Sequence, residues 1–526
     1  MKKLLTFAFA MVLACTGIAH ADETSDKIDA LQRQLDVLKA QLDQLKAMKP
    51  PPAAVPVAPA GGGTPVVVKK GPGLTFGIGS EEVTVYGQLD LSLDDTTKGL
   101  APFYSSSGDS PVGNVGWLSQ ISTNLSYIGV RGNHKLGSGD FTVPYQLETQ
   151  IDVSATSGTV NTSSNNDNVV KGALTSRNSF VGLGNKYDGA IKIGKTDAPY
   201  KNSTSRMNPF SGMLGDYQVI MGNTGGDNRV EFGTRLDHAV WYESPDVHGF
   251  AVNLLVAPGQ NRAFDNSLIA GGEAGCAGGN APGSGALSPA CNDGAFGTAY
   301  SGSAQWQIGK LYATAAYELH KGVNRTSDIA GVTDPTTGLP FSAATVASDV
   351  VDEDARKIGV QYGFSSRTIF SAIYEDMRRY VPAPLVEQNE RTRDGFWFAL
   401  TQYLNPSDNV SFGWARANPT PGDPGQHNTP LQANPDNMAN MYTLAFKHQI
   451  DPHVSWYFDY AGTLNHADAH YDLGAGGRGL TTDCHDGSLE TAFDPTATPT
   501  PVSGVGPHCY AGGHLQGASL GLNIRF

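Results

Sequence analysis

His466, Asp468 and His470 stand two residues apart, and His485 and His508 follow in the same stretch. These donor types suit a transition metal. The stretch 464–512 is also polar and Gly-rich, so the same side chains read as a solvated loop, and no metal is expected. Asp167, among Asn161, Asn165, Asn166 and Asn168, offers oxygen donors for calcium without the EF-hand spacing. Gly182-x-Gly184 opens no helix, so it is not a dinucleotide fingerprint. No Gly-x-Ser-x-Gly occurs and nothing arranges a catalytic triad, so neither an enzyme nor a cofactor is expected. Four cysteines follow residue 21: Cys276, Cys291, Cys484 and Cys509. An even number in an exported chain implies two disulfides, with three connectivities open. Proximity favours Cys276–Cys291 and Cys484–Cys509, each closing a long loop.

Composition narrows the class of protein that carries these residues. Charged residues are 16% of 526, below the roughly 25% usual in soluble domains, and 63 glycines exceed the usual share of about 7%. A net charge of −14 leaves no cationic excess for phosphates, so nucleic acid is not a partner. With 9% aromatics the chain is not a disordered acidic tail. Past the extreme N-terminus no apolar run approaches 18 residues, which excludes helical membrane spans. What remains is a secreted all-β protein or a transmembrane barrel with a polar lumen.

The N-terminus reads as three short segments. Lys2 and Lys3, the apolar run 4–14 and Ala19-His20-Ala21 form a signal peptide over 1–21, with the mature chain starting at Asp22. Lipoprotein processing at Cys15 is the rival, and the full Ala-x-Ala site is preferred over it. In 22–49, Ile28, Leu31, Leu35, Leu38, Leu42 and Leu45 follow a 3-4 spacing, which predicts an α-helical coiled coil with a narrow self-association seam. Residues 50–73 hold seven prolines and Gly61-Gly62-Gly63, a semi-rigid Pro/Gly-rich linker.

From residue 82 to 526 the period is two. Val83, Val85, Leu89, Leu91 and Leu93 share one face, and Thr84, Tyr86, Gln88, Asp90 and Ser92 the other. Segment 141–153 and the terminal 518–526 repeat the alternation. Sixteen strands are expected, near 83–93, 122–132, 141–152, 177–184, 190–196, 236–244, 249–257, 298–307, 310–320, 355–363, 367–377, 393–404, 409–417, 439–449, 453–463 and 513–526. Short connections alternate with long ones, the pattern of a barrel with turns at one rim and loops at the other. The expected fold is therefore all-β: a 16-stranded antiparallel transmembrane β-barrel preceded by a coiled coil. Lipid admits a sheet only when it is closed.

Val83-Thr84-Val85-Tyr86-Gly87-Gln88-Leu89-Asp90 resembles the first strand of Gram-negative trimeric general porins. Ile128-Gly129-Val130-Arg131-Gly132, Ser176-Arg177 with Phe180-Val181-Gly182-Leu183, Ile193-Gly194-Lys195, and the run from Arg235 to Pro245 resemble their next landmarks. Ile524-Arg525-Phe526 resembles their terminal assembly signal, with Phe526 as the aromatic that is read. The N-terminal extension is similar to porins with coiled-coil extensions, such as the DcaP-like group and the sucrose porin. The resemblance implies an outer-membrane homotrimer in a Gram-negative bacterium, in contact with lipid and lipopolysaccharide, that passes small hydrophilic solutes and ions. The coiled coil would help join the N-termini or touch peptidoglycan. A substrate-selective porin for anionic or sugar solutes is the alternative.

In such porins the third loop folds into the barrel. Here it is 197–235, and Met207-Asn208-Pro209-Phe210-Ser211-Gly212 resembles the turn at its tip. The resemblance places Arg131, Arg177, Lys195 and Arg235 on a basic wall. Asp216, Asp227 and Glu231 are the loop's acidic candidates, with Lys201, Arg206 and Arg229 making its charge mixed. Opposed charges across a narrow aqueous waist would create a transverse field that orients dipolar solutes and screens them by size and charge.

Overall fold

The computed structural model describes residues 66–68, 73–78, 81–97, 117–151, 153, 177–222, 232–258, 296–324, 350–380, 392–421, 436–466, 469, 471, 473–474 and 514–526. Contacts divide the chain into Met1–Gly63 and Thr64–Phe526. The signal, the coiled coil, all the cysteines, Asp227 and Glu231 lie outside the described residues.

Nineteen strands are described: β1 Val66–Val68, β2 Leu74–Ile78, β3 Glu81–Thr96, β4 Leu118–Thr123, β5 Tyr127–Lys135, β6 Thr142–Gln150, β7 Ser179–Asn185, β8 Gly189–Asp197, β9 Arg235–Glu243, β10 Phe250–Ala257, β11 Thr298–Ile308, β12 Leu311–Asn324, β13 Val350–Gly363, β14 Thr368–Arg379, β15 Arg393–Tyr403, β16 Asp408–Ala417, β17 Ala439–Gln449, β18 Val454–Asn465 and β19 His514–Arg525. From β5 to β19 each strand pairs antiparallel with the next. β19 then pairs with β3, from Gly517↔Thr96 to Arg525↔Gln88, and the sheet is closed. β4 and β5 lie end to end along β3 and act as one strand, broken where Leu125 takes φ +53°. The hairpin β1–β2 adds to β3 beside the end of β19. Setting that hairpin aside leaves sixteen staves, the expected number.

Two features follow from the residue types. First, the large apolar side chains point outward and stay exposed, as lipid contact requires: Ile358, Phe398, Leu400, Phe412, Leu444 and Leu520 are examples. Their strand neighbours Lys357, Ala399, Ser411, Thr443 and Ser519 face inward and are buried. Second, many inward or pleated positions are glycine because an aromatic ring crosses them from the next strand. Tyr86 lies over Gly129, Tyr145 over Gly132 and Tyr457 over Gly521, each a directly opposed pair. Part of the glycine surplus in the composition is thus spent on cross-strand packing.

Closure ends on the C-terminal residue. The Gly87 amide donates to the Phe526 carbonyl at 2.8 Å, and the Phe526 amide donates to the Gly87 carbonyl at 3.1 Å. The Phe526 ring occupies the space a Cβ on Gly87 would fill.

Candidate functional site

After Asp197 the chain leaves the wall and turns to the inner face. Pro199 at the first turn, where no amide partner is needed, starts helix α1, Pro199–Ser205. Tyr200 is fully buried. Its hydroxyl donates to Glu375 Oε2 of β14 at 2.7 Å, and its amide donates to Ser301 Oγ of β11 at 3.0 Å. Burial first, then the charge of Glu375, pushes the Tyr200 phenol well above its ordinary value, so it stays a donor.

The tip follows. Asn208 accepts the Phe210 amide at 3.0 Å, an Asx turn, and Gly212 takes φ +80°. Asp216 accepts from Asn208 Nδ2 at 2.9 Å and from the amides of Gly212 and Gln218, both at 3.2 Å, so it caps the 3-10 turn Tyr217–Val219. Its carboxylate is therefore committed to the shape of the loop. The apolar side of this segment faces the wall. Met207 meets Gly359, Phe210 covers Gly413, and Gly215 sits against Thr443. Leu214 donates its amide to Asp459 Oδ2 at 3.1 Å. The Tyr217 ring lies 4.6 Å from that of Trp397. The wall facing the loop is built of Ala399, Ala415, Ala417, Ala439 and Ala445, small side chains that let a second layer fit inside the sheet.

Two polar clamps hold the limbs. Glu375 takes the Tyr200 hydroxyl on one oxygen and the Gly222 amide on the other, at 2.5 Å, so one buried carboxylate ties down both the outgoing and the returning chain. Lys357 Nζ stands 3.5 Å from Glu375 and 3.9 Å from the centre of the Tyr200 ring. Farther along, His320 is stacked between Phe232 and Phe296, with centroids at 4.7 and 4.1 Å. His320 Nδ1 faces Glu353 at 2.8 Å and Nε2 faces Glu318 at 3.2 Å. Each ring nitrogen of His320 thus has a carboxyl oxygen as its partner. The Gly233 amide also donates to Glu318, at 3.2 Å.

The expected basic residues fall into two groups. Arg177, Lys201 and Arg235 gather at the base of the third loop, each already paired. Arg177 meets Glu148 at 2.6 Å, and Asp197 receives Lys201 at 3.0 Å and Arg235 at 3.1 Å. Arg131 on β5 is exposed and stands 4.6 Å over the Tyr86 ring. Lys195 lies opposite Ser179, beside the register shift between Gly194 and Thr196. Arg206 on the loop stands 4.2 Å over the Tyr312 ring. His466 meets Asp436 at 3.0 Å, and among the described residues no group of three or more metal-ligating side chains forms. Sequence reasoning missed Asp197, Glu318, His320, Lys357, Glu375 and Asp459 as anchors. The available signal was an ionisable residue on the non-apolar face of a strand.

A substitution at the wall checks this packing. A Cβ on Gly413 would lie 2.5 Å from Phe210 Cε2. Gly413→Leu should leave β16 paired but displace Phe210, which a crystal structure of the variant would show. Phe210 in its original place would show that the tip does not depend on this seat.

A family model described as Gram-negative porin matches residues 8–468 of the chain. Among solved structures, an anion-selective porin from Comamonas acidovorans is similar at TM-score 0.53 and 16% identity, covering 85% of this chain and 100% of its own. OmpF of Salmonella typhi is similar at TM-score 0.47 and 13% identity, covering 85% and 98%. The outer membrane channel DcaP of Acinetobacter baumannii is similar at TM-score 0.44 and 11% identity, with the same coverage. No curated protein sequence matches.

Proposed function

The chain belongs to the Gram-negative porin family, whose place is the outer membrane, and from that premise we propose that it forms a water-filled channel for passive diffusion of small hydrophilic solutes and ions, narrowed by the segment 197–235. One observation carries the narrowing: within 199–222 the side chains of Tyr200, Met207, Phe210, Leu214, Tyr217 and Ile220 are buried against the inner face of the closed sheet, and the segment is tied there by Glu375 and Asp459. Arg177, Lys201 and Arg235 against Asp197 and Glu148 supply fixed opposite charges beside that segment. Such charges set a local field without a large net charge. Arg131, Lys195 and Arg206, with Asp216, Asp227 and Glu231, complete the proposed constriction.

The working unit is proposed to be a homotrimer in lipid and lipopolysaccharide, with 22–49 in the periplasm as a coiled coil that joins N-termini or touches peptidoglycan. Phe526 is proposed as the assembly signal, and its exposed ring beside Gly87 at the closing seam supports that role. The test is a planar-bilayer recording of the full-length mature protein. Conductance steps grouped in threes are expected. Single ungrouped steps would remove the trimer, and no steps would remove the channel.

A further inference from the structure

A cavity of about 470 Å³ opens inside the barrel on the turn side of the third loop, between the loop tip and the rim where β15–β16 and β17–β18 turn. Three cations line it: Arg206 from the loop, Lys447 from β17 and Arg525 from β19. Lys447 is in phase with the inward Thr443 and Ala445, and Arg525 with the inward Ser519 and Asn523, so both project to the lumen. Among the described residues none of the three has a carboxylate within 4.0 Å, unlike Arg177, Lys201 and Arg235. The one acid of the lining is Asp90, and both its oxygens are engaged, by the Tyr457 hydroxyl at 2.9 Å and Asn523 Nδ2 at 2.6 Å. Arg525 is steadied by Gln88 at 3.2 Å. The lining behind the loop thus holds three cations against one carboxylate, in a chain whose net charge is −14.

The rest of the lining is rich in hydroxyl and amide groups, among them Ser211, Gln361, Ser371, Thr401, Asn409 and Gln449. Such groups pair with hydroxyls, and guanidinium forks pair with planar or tetrahedral oxyanions. We infer that this vestibule is a transient binding site for a polyhydroxylated anion of sugar size, a carbon chain of hydroxyls ending in a carboxylate or a phosphate. The inference rests on the channel reading above and adds to it a site with a ligand class.

Current interruption through the full-length reconstituted channel tests it, with gluconate, glucose 6-phosphate and uncharged glucose as probes. Both anions are expected to interrupt the current, more often when added from the turn side, and glucose is not. Interruption by only one anion supports the site and names its oxyanion. In the Lys447→Gln/Arg525→Gln double variant, anion dwell times should shorten about thirtyfold, since each of the two lost charge-assisted bonds removes on the order of 1 kcal/mol and 1.4 kcal/mol is tenfold. Lys447→Arg, which keeps the charge, should retain the dwell time, and Lys447→Gln alone should shorten it without touching the closing strand. Equal interruption by glucose, or unchanged dwell times in the double variant, overturns the site. A conducting channel that no anion interrupts overturns the site alone, whereas a protein that never conducts overturns the channel reading as well.

Discussion

Replacing residues 206–221 by a three-residue Gly-Ser-Gly link should raise single-channel conductance severalfold while leaving a folded, heat-resistant barrel. The two halves of this expectation have separate physical grounds. Conductance rises because Phe210, Leu214, Tyr217 and Ile220 occupy the lumen side of the sheet, and the wall left behind them is Gly413, Ala415, Ala399 and Thr443, which are small. The barrel survives because its strands are joined to one another by ladders that the loop does not enter, and closure by β19 and β3 is independent of it. A short link suffices because the segment leaves and returns through one anchor, Glu375, which receives both Tyr200 and Gly222. Recordings of wild type and variant in the same salt decide the matter. Equal conductance would mean that the segment does not restrict the path. Loss of the folded band on unheated gels would mean that it is part of the barrel's stability instead.

The sheet and the inward loop differ in how far sequence foretells them. Strand β17, Ala439–Gln449, coincides with the expected 439–449, and β6 and β14 differ from expectation by one or two residues at their ends. A half-lipid, half-water face forces period two, and period two is a local signal. The break at Leu125 is a departure: the expected single strand 122–132 is β4 and β5, because a positive φ is not encoded by leucine and depends on what the chain meets there. The β1–β2 hairpin also escaped, since β2 gains its partner only on the edge of β3 that β19 leaves open, and Val66–Val68 then pairs with β2. The loop tip Met207–Gly212 was legible from its turn residues. Its anchors were not: Glu375 and Asp459 lie more than 150 residues away, and nothing local distinguishes them from the other ionisable residues that face water inside a barrel.

Glu375→Ala should be the most damaging single substitution of the loop's seating. Glu375 is 1% exposed and accepts from three elements at once: Tyr200 on α1, Gly222 at the loop's return, and Lys357 on β13. Removing it leaves the Lys357 ammonium, 6% exposed, without its nearest countercharge, and breaking a buried pair in this way costs about 3–5 kcal/mol. It also leaves the buried Tyr200 hydroxyl and Gly222 amide without their acceptor, each a loss of about 1–3 kcal/mol. These losses share one cause and do not simply add. They fall on the loop rather than on the sheet, because β13 and β14 keep their eleven-residue register from Glu353↔Arg379 to Gly363↔Ile369. The expected phenotype is therefore a folded barrel whose current flickers between the wild-type level and a higher one, as the limbs detach and return. Glu375→Gln should fall between the two, since its amide oxygen still accepts from Gly222 or Tyr200 while the charge opposite Lys357 is gone. The double variant Lys357→Met/Glu375→Leu, which removes both charges together, should be quieter than Glu375→Ala. If Glu375→Ala and the double variant flicker alike, the stranded lysine is not the source of the instability, and the lost hydrogen bonds to Tyr200 and Gly222 account for it.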